Sequence, residues 1–150
     1  MSINQSTEQI LNKLENDAYQ FYVMNIANPD MVAHTGNIRA AVKACEITDE
    51  CIGKIVELVL KKGGGCIITA DHGNVEEMID PVTGGIDTEH STYPVPVICI
   101  SQKLMGKVEE LPMGLLADVA PTALSMIGLN IPATMNGRNL LAYIQQGGNI

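Results

Sequence analysis

The sequence predicts an α/β protein with a small, mainly parallel sheet flanked by helices. Three observations carry this reading. The runs 19–26, 66–70 and 95–100 are apolar and rich in β-branched or aromatic residues, and two of them are almost continuously apolar, as in parallel strands covered on both faces. A long helical period lies between the first two runs. Each of those two runs opens into a polar loop carrying an aspartate and a histidine.

The elements follow in order. Residues 7–16 set Ile10, Leu11 and Leu14 at helical spacing, with Ser6 or Thr7 as the cap. Residues 19–26 read as a strand that stops at Asn28-Pro29. From 37 to 62 the stripe Ile38, Ala41, Val42, Cys45, Ile52, Ile55, Val56, Val59 and Leu60 predicts a long crossover helix, stopped by Gly63-Gly-Gly65. Residues 66–70 then form a second strand, so strand, helix and strand make a right-handed βαβ unit.

Residues 73–92 hold Glu76, Glu77 and the turn Pro81-Val-Thr-Gly-Gly85, and are read as a long functional loop. The strand at 95–100 must carry Pro96 at its first positions or on an edge, because proline donates no ladder hydrogen bond. Residues 101–115 form a surface connection with a minor strand around 107–110. Asp118 caps a helix that includes Pro121, Ala123, Leu124 and Ile127 and ends at Gly128. A last helix covers 139–146, and the tail 147–150 frays. Three strands are few where a typical sheet has about five or six. The sheet is therefore small or incomplete, with an edge open to a missing segment or a second copy.

The 150 residues and 46% hydrophobic content suit one domain, whose core must be aliphatic because Trp is absent and Phe21 is the sole phenylalanine. A net charge of −8 argues against a nucleic-acid or anionic-membrane partner and favours a cation. No apolar run nears the ~20 residues of a membrane span, and the polar start lacks the pattern of a signal peptide. Cys45, Cys51, Cys66 and Cys99 form no CxxC pair. Together these features predict a soluble protein of the reducing cytoplasm.

All three histidines lie in loops that hold acidic residues: His34 four residues after Asp30, His72 beside Asp71, and His90 beside Glu89. Ligand sites of parallel α/β sheets collect at the carboxyl ends of strands, where Asp30, His34, Asp71 and His72 fall. Asp30 and His34 would share one face if their segment turned helically, which suits two ligands of one metal. Asp71 and His72 diverge unless Gly73 turns the chain sharply, so they serve one ion or two, with His90 a further ligand. Aspartate and imidazole without cysteine suit Mn2+, Zn2+ or a similar ion. No serine or threonine stands in a recognisable nucleophile setting; Ser91 and Thr92 read as loop lining.

Four stretches in this order, Asn28-Pro-Asp-Met-Val-Ala-His-Thr-Gly36, Thr69-Ala-Asp-His-Gly-Asn-Val-Glu-Glu-Met78, His90-Ser-Thr-Tyr-Pro-Val-Pro96 and Leu116-Ala-Asp-Val-Ala-Pro-Thr122, resemble the motifs of cofactor-independent (2,3-bisphosphoglycerate-independent) phosphoglycerate mutases. The similarity runs from about residue 8 to 145. It implies the C-terminal part of an alkaline-phosphatase-like three-layer sandwich, in an isomerase that interconverts 2-phosphoglycerate and 3-phosphoglycerate by metal-assisted phosphoryl transfer in glycolysis. It further implies that Asp30, His34 and His90 ligate one manganese ion and that Asp71 and His72 belong to a second, with Zn2+, Co2+ or Mg2+ as alternatives.

The serine that the family phosphorylates, the aspartate that completes its second ion, and its phosphoglycerate-binding transferase domain have no counterpart here. No catalytic nucleophile or substrate-binding residue is therefore assigned, and one complete metal site at most is expected. Ala33, Tyr93 and Asp87 depart from the family's usual glycine, asparagine and histidine. The chain alone is expected to be inactive, either as part of an enzyme assembled with an N-terminal segment or, alternatively, as a non-catalytic metal-binding module.

Overall fold

The computed structural model describes residues 2–107 and 110–142, which form two compact units. The first contains Met1–Lys62 and His72–Val95; the second contains Gly63–Asp71 and Pro96–Ile150.

In the first unit, helix α1 spans Ile3–Glu15 and begins earlier than its apolar stripe. Ser2, not Ser6 or Thr7, is the cap: its side chain accepts the Gln5 N–H while the Gln5 side chain reaches back to the Ser2 N–H. This reciprocal pair satisfies two N–H groups that a helix start leaves open, so the local hydrogen bonding outweighs the position of the first apolar residue. The helix packs against α3, Ile38–Lys61, and buries Ile3 and Thr7. Lys62 joins the ends of both helices, bridging to Asp17 Oδ1 at 2.7 Å and donating to the Glu15 carbonyl.

Residues 19–26 do not form the predicted strand, and no ladder includes them. Tyr19, Phe21 and Val23 all lie exposed, Val23 to 83%. Their alternation marks a strand face, but a strand also needs a neighbouring backbone, and none pairs with it among the described residues. The expected βαβ unit is therefore not formed. The short helix α2, Asn28–Ala33, follows with Pro29 in its first turn, where a missing N–H costs nothing.

A tight corner joins α2 to α3. His34 ends α2, Gly36 takes φ +68°, and the Asn37 side chain caps α3 by accepting the Ala40 N–H at 3.1 Å. The predicted crossover helix thus has nearly its expected limits. Ala33, Ala41 and Met78 form a small buried cluster that pins α2 and the 74–78 segment to α3.

The 73–92 excursion is an arch. A 3-10 turn covers Val75–Glu77, and Ile79 pairs with Ile86 across the predicted Pro81–Gly85 turn. Asp80 Oδ1 closes that turn by accepting the N–H groups of Val82 at 2.8 Å and Thr83 at 2.7 Å. The chain then returns to pair Ser91 with Gly73.

In the second unit, β1 (Gly65–Thr69) and β2 (Val97–Ser101) pair antiparallel, Gly65 opposite Ser101 and Thr69 opposite Val97. The expected mainly parallel sheet is corrected: among the described residues the one ladder has two antiparallel strands. A parallel return needs a crossover, usually helical, and the β1–β2 connection holds only a 3-10 turn and the arch. Pro96 lies just before β2, as its missing donor requires.

Helix α4, Val119–Met126, is stopped as expected by Gly128, which takes φ +76° just past the Ile127 C-cap. Asp118 stands at its N-cap position, as expected, but its side chain makes no capping hydrogen bond to the helix. Its carboxylate instead accepts the backbone N–H groups of Leu115 at 2.9 Å and Arg138 at 2.8 Å. Thr122 completes the docking of 138–141 by accepting the Leu140 N–H at 3.0 Å. The expected minor strand at 107–110 and helix at 139–146 fall largely on residues outside those described. No helix among the described residues is long and apolar enough to cross a membrane.

Candidate metal centre

Asp30, His34 and His90 come together in the first unit, each offering one donor atom, with all three atoms within 4.8 Å of one another. Helix α2 supplies the first two at i and i+4, so its turn stacks them on one face. Asp30 Oδ1 lies 3.4 Å from His34 Nε2 and 3.3 Å from His90 Nε2, and the two imidazole nitrogens are 3.1 Å apart.

The second nitrogen of His34 decides what the first can do. His34 Nδ1 lies 2.6 Å from the Thr88 carbonyl oxygen, which can only accept. Nδ1 therefore carries the proton, and in the neutral ring Nε2 is left with a lone pair facing Asp30 and His90. An imidazole oriented by a carbonyl on its far nitrogen is the usual support of a metal ligand.

Asn74 sits behind the carboxylate. Only 4% exposed, it donates from Nδ2 to Asp30 Oδ1 at 2.7 Å. That bond, opposed by burial and aided by the nearby rings of His34, His90 and His72, holds the Asp30 carboxyl below the ordinary aspartate range. Asp30 is thus ionised at neutral pH, as a metal ligand must be. One carboxylate and two imidazoles, that of His34 oriented by the Thr88 carbonyl, make a donor set that fits a divalent cation such as Zn2+ or Mn2+.

His72 joins the cluster differently: its ring stacks on His90 with centroids 3.8 Å apart and planes 23° from parallel. Gly73 permits this approach, because a Cβ there would strike Glu76 Oε1 and Ser91 Oγ. Asp71 closes its segment of the second unit and, like His72, is not in the three-residue donor group. Sequence reasoning overlooked the Thr88 carbonyl and the Asn74 amide. Asn74 was visible inside the Asp-His-Gly-Asn stretch, whereas a backbone acceptor carries no side-chain signal.

The three departures from the family pattern have simple surroundings. Ala33 is fully buried in the α2–α3 cluster, Asp87 accepts the Glu89 N–H at 2.8 Å, and Tyr93 is exposed.

Comparison with known proteins agrees with this geometry. Residues 1–131 match the family described as the metalloenzyme superfamily. The 2,3-bisphosphoglycerate-independent phosphoglycerate mutase of Clostridium beijerinckii is 49% identical over 141 residues, covering 94% of this chain and 27% of that protein. The enzyme of the same name from Pseudomonas fluorescens is 50% identical over a similar span. A crystal structure of Leishmania mexicana phosphoglycerate mutase at low cobalt concentration superposes with a TM-score of 0.79 and 29% identity, over 91% of this chain and 28% of that one. The chain thus spans about a quarter of the length of the curated relatives it matches. It belongs to the metalloenzyme superfamily, sharing nearly half its residues with a segment of 2,3-bisphosphoglycerate-independent phosphoglycerate mutases and its fold with a segment of a phosphoglycerate mutase.

Proposed function

We propose that the chain is the metal-binding C-terminal segment of the phosphatase-like domain of a cytoplasmic, glycolytic phosphoglycerate mutase. In the complete enzyme, 2-phosphoglycerate and 3-phosphoglycerate are the substrates. The observation that carries this reading is the Asp30–His34–His90 triangle, with His34 Nε2 left as a lone-pair donor by the Thr88 carbonyl. These three residues are the ligands of one manganese ion, and Asp71 and His72 contribute to a second, with Zn2+, Co2+ or Mg2+ as substitutes.

A bound divalent ion supplies positive charge that stabilises oxygen atoms of a phosphoryl group during transfer. The chain's own residues prepare that site. Asp30 stays ionised beside Asn74, His34 keeps its proton on the far nitrogen, and Gly73 lets the His72 and His90 loops close together. The nucleophilic serine, the aspartate completing the second ion and the residues that grip phosphoglycerate belong to other segments of the enzyme, so this chain alone has no turnover. The short span relative to its relatives supports that division.

Titration with Mn2+ and Zn2+ tests the assignment. Wild type binds one ion tightly, and Asp30→Ala loses that binding; equal binding by both overturns it. A second reading, a single-ion module without catalysis, is favoured by the completeness of the triad without Asp71 or His72. Recombination with the remaining part of a phosphoglycerate mutase separates the two. Two bound ions and restored activity support the enzyme segment, whereas one ion and no rescue support the module, with a second copy covering open strand edges.

A further inference from the structure

We propose that Glu76 is a positioning residue for the metal centre, bracing the loops that bear His72 and His90 while it fixes Asn74 behind Asp30. The proposal rests on Asp30, His34 and His90 being metal ligands. Glu76 Oε2 accepts the Asn74 backbone N–H at 2.8 Å, and Glu76 Oε1 accepts the Ser91 hydroxyl proton. Ser91 directly follows His90, and its own N–H donates to the Gly73 carbonyl at 2.8 Å.

The two loops therefore meet at one isolated antiparallel bridge, Gly73 with Ser91. A single bridged pair leaves the segments free to pivot about it. The Glu76 carboxylate removes that freedom by tying a group on each side: the backbone of Asn74 on one loop and the side chain of Ser91 on the other. Motion at Asn74 would carry its amide away from Asp30 Oδ1, and motion at Ser91 would carry His90 with it. One side chain thus controls two of the three donors. Glu76 is not itself a donor, since it stands outside the three-residue group and both its oxygens accept within the brace. Gly73 leaves room for it, because any Cβ there would occupy the space of the Glu76 and Ser91 oxygens.

The test compares wild type with Glu76→Ala, Glu76→Gln, Ser91→Ala, Asp30→Ala and, as a neighbouring control, Glu77→Gln. Affinity is read by Mn2+ and Zn2+ titration and donor geometry by the visible spectrum of bound Co2+. Loss of a residue that supports a ligand weakens metal binding about 10–100-fold. Glu76→Ala is expected in that range with an altered Co2+ spectrum. Ser91→Ala and Glu76→Gln, each retaining part of the brace, fall between it and wild type, and Glu77→Gln matches wild type. If Glu76→Ala does not fold, by circular dichroism of the metal-free protein, the folded Glu76→Gln decides: weakened binding supports the brace and unchanged binding overturns it. Wild-type affinity and spectrum in folded Glu76→Ala, with binding lost in Asp30→Ala, overturn the brace and leave the ligands standing. Unchanged binding in Asp30→Ala overturns the ligand assignment beneath it.

Discussion

Two aspartates show how a side chain's role depends on which N–H groups surround it. Asp30 looked like a ligand from its spacing to His34, and it faces both histidines. Asp118 looked like a helix cap, yet its carboxylate is turned to the backbone of Leu115 and Arg138. At 3% exposure it is buried, and those two N–H bonds, opposed by burial and helped by the Arg138 guanidinium, hold its carboxyl below the ordinary range. Its folded pKa therefore lies below the unfolded value of 3.8. Stability from this group is complete above the unfolded pKa and is lost as pH falls through the folded one. Thermal unfolding followed from neutral pH down into that acid window should show a steeper loss for wild type than for Asp118→Asn. Parallel slopes would mean the carboxylate contributes nothing as an anion.

At the scale of elements, the corner between α2 and α3 sets the Asp30–His34–His90 cluster, because it fixes where His34 leaves its helix. Asn37→Ala removes the cap of α3 and should cost about 1 kcal/mol in chemical denaturation. Gly36→Ala should cost more, since alanine is strained at φ +68° and its Cβ would lie 2.8 Å from Ile86 Cγ2. The reverse order would remove Gly36 as the constraint on the corner. The long helix α3 and both paired strands were legible to within two residues, because periodicity, Asn37 and the glycine run agree. The orientation of the strands was not legible, because a continuous apolar run reports burial and not the direction of its neighbour. The segment 19–26 failed for a related reason: β-propensity describes fitness for a sheet, and pairing depends on a partner backbone far away in sequence or on another chain. The gathering of Asp30, His34 and His90 was legible from residue type and spacing, while the contacts that hold them, the Thr88 carbonyl and the Glu76 carboxylate, reach across more than ten residues.

For the molecule as a whole, the unpaired backbone is its most consequential surface. In the second unit the sheet has only two strands among the described residues, so each has one outer side without a ladder partner. In the first unit, Tyr19, Phe21 and Val23 present exposed apolar side chains at alternate positions along a segment outside any ladder. Open edges and an exposed apolar face of this kind invite strand addition by another polypeptide. The net charge of −8 opposes self-association through repulsion, but that repulsion is screened within about 8 Å at physiological salt. The isolated chain should therefore show self-association that grows with protein and salt concentration in light scattering. Phe21→Lys should reduce it by placing a charge on the exposed face. Adding the remaining part of a phosphoglycerate mutase should suppress it and slow hydrogen exchange at 19–26. A chain that stays monomeric at every protein and salt concentration, with exchange at 19–26 unchanged by the added part, would mean that this face is not a pairing surface.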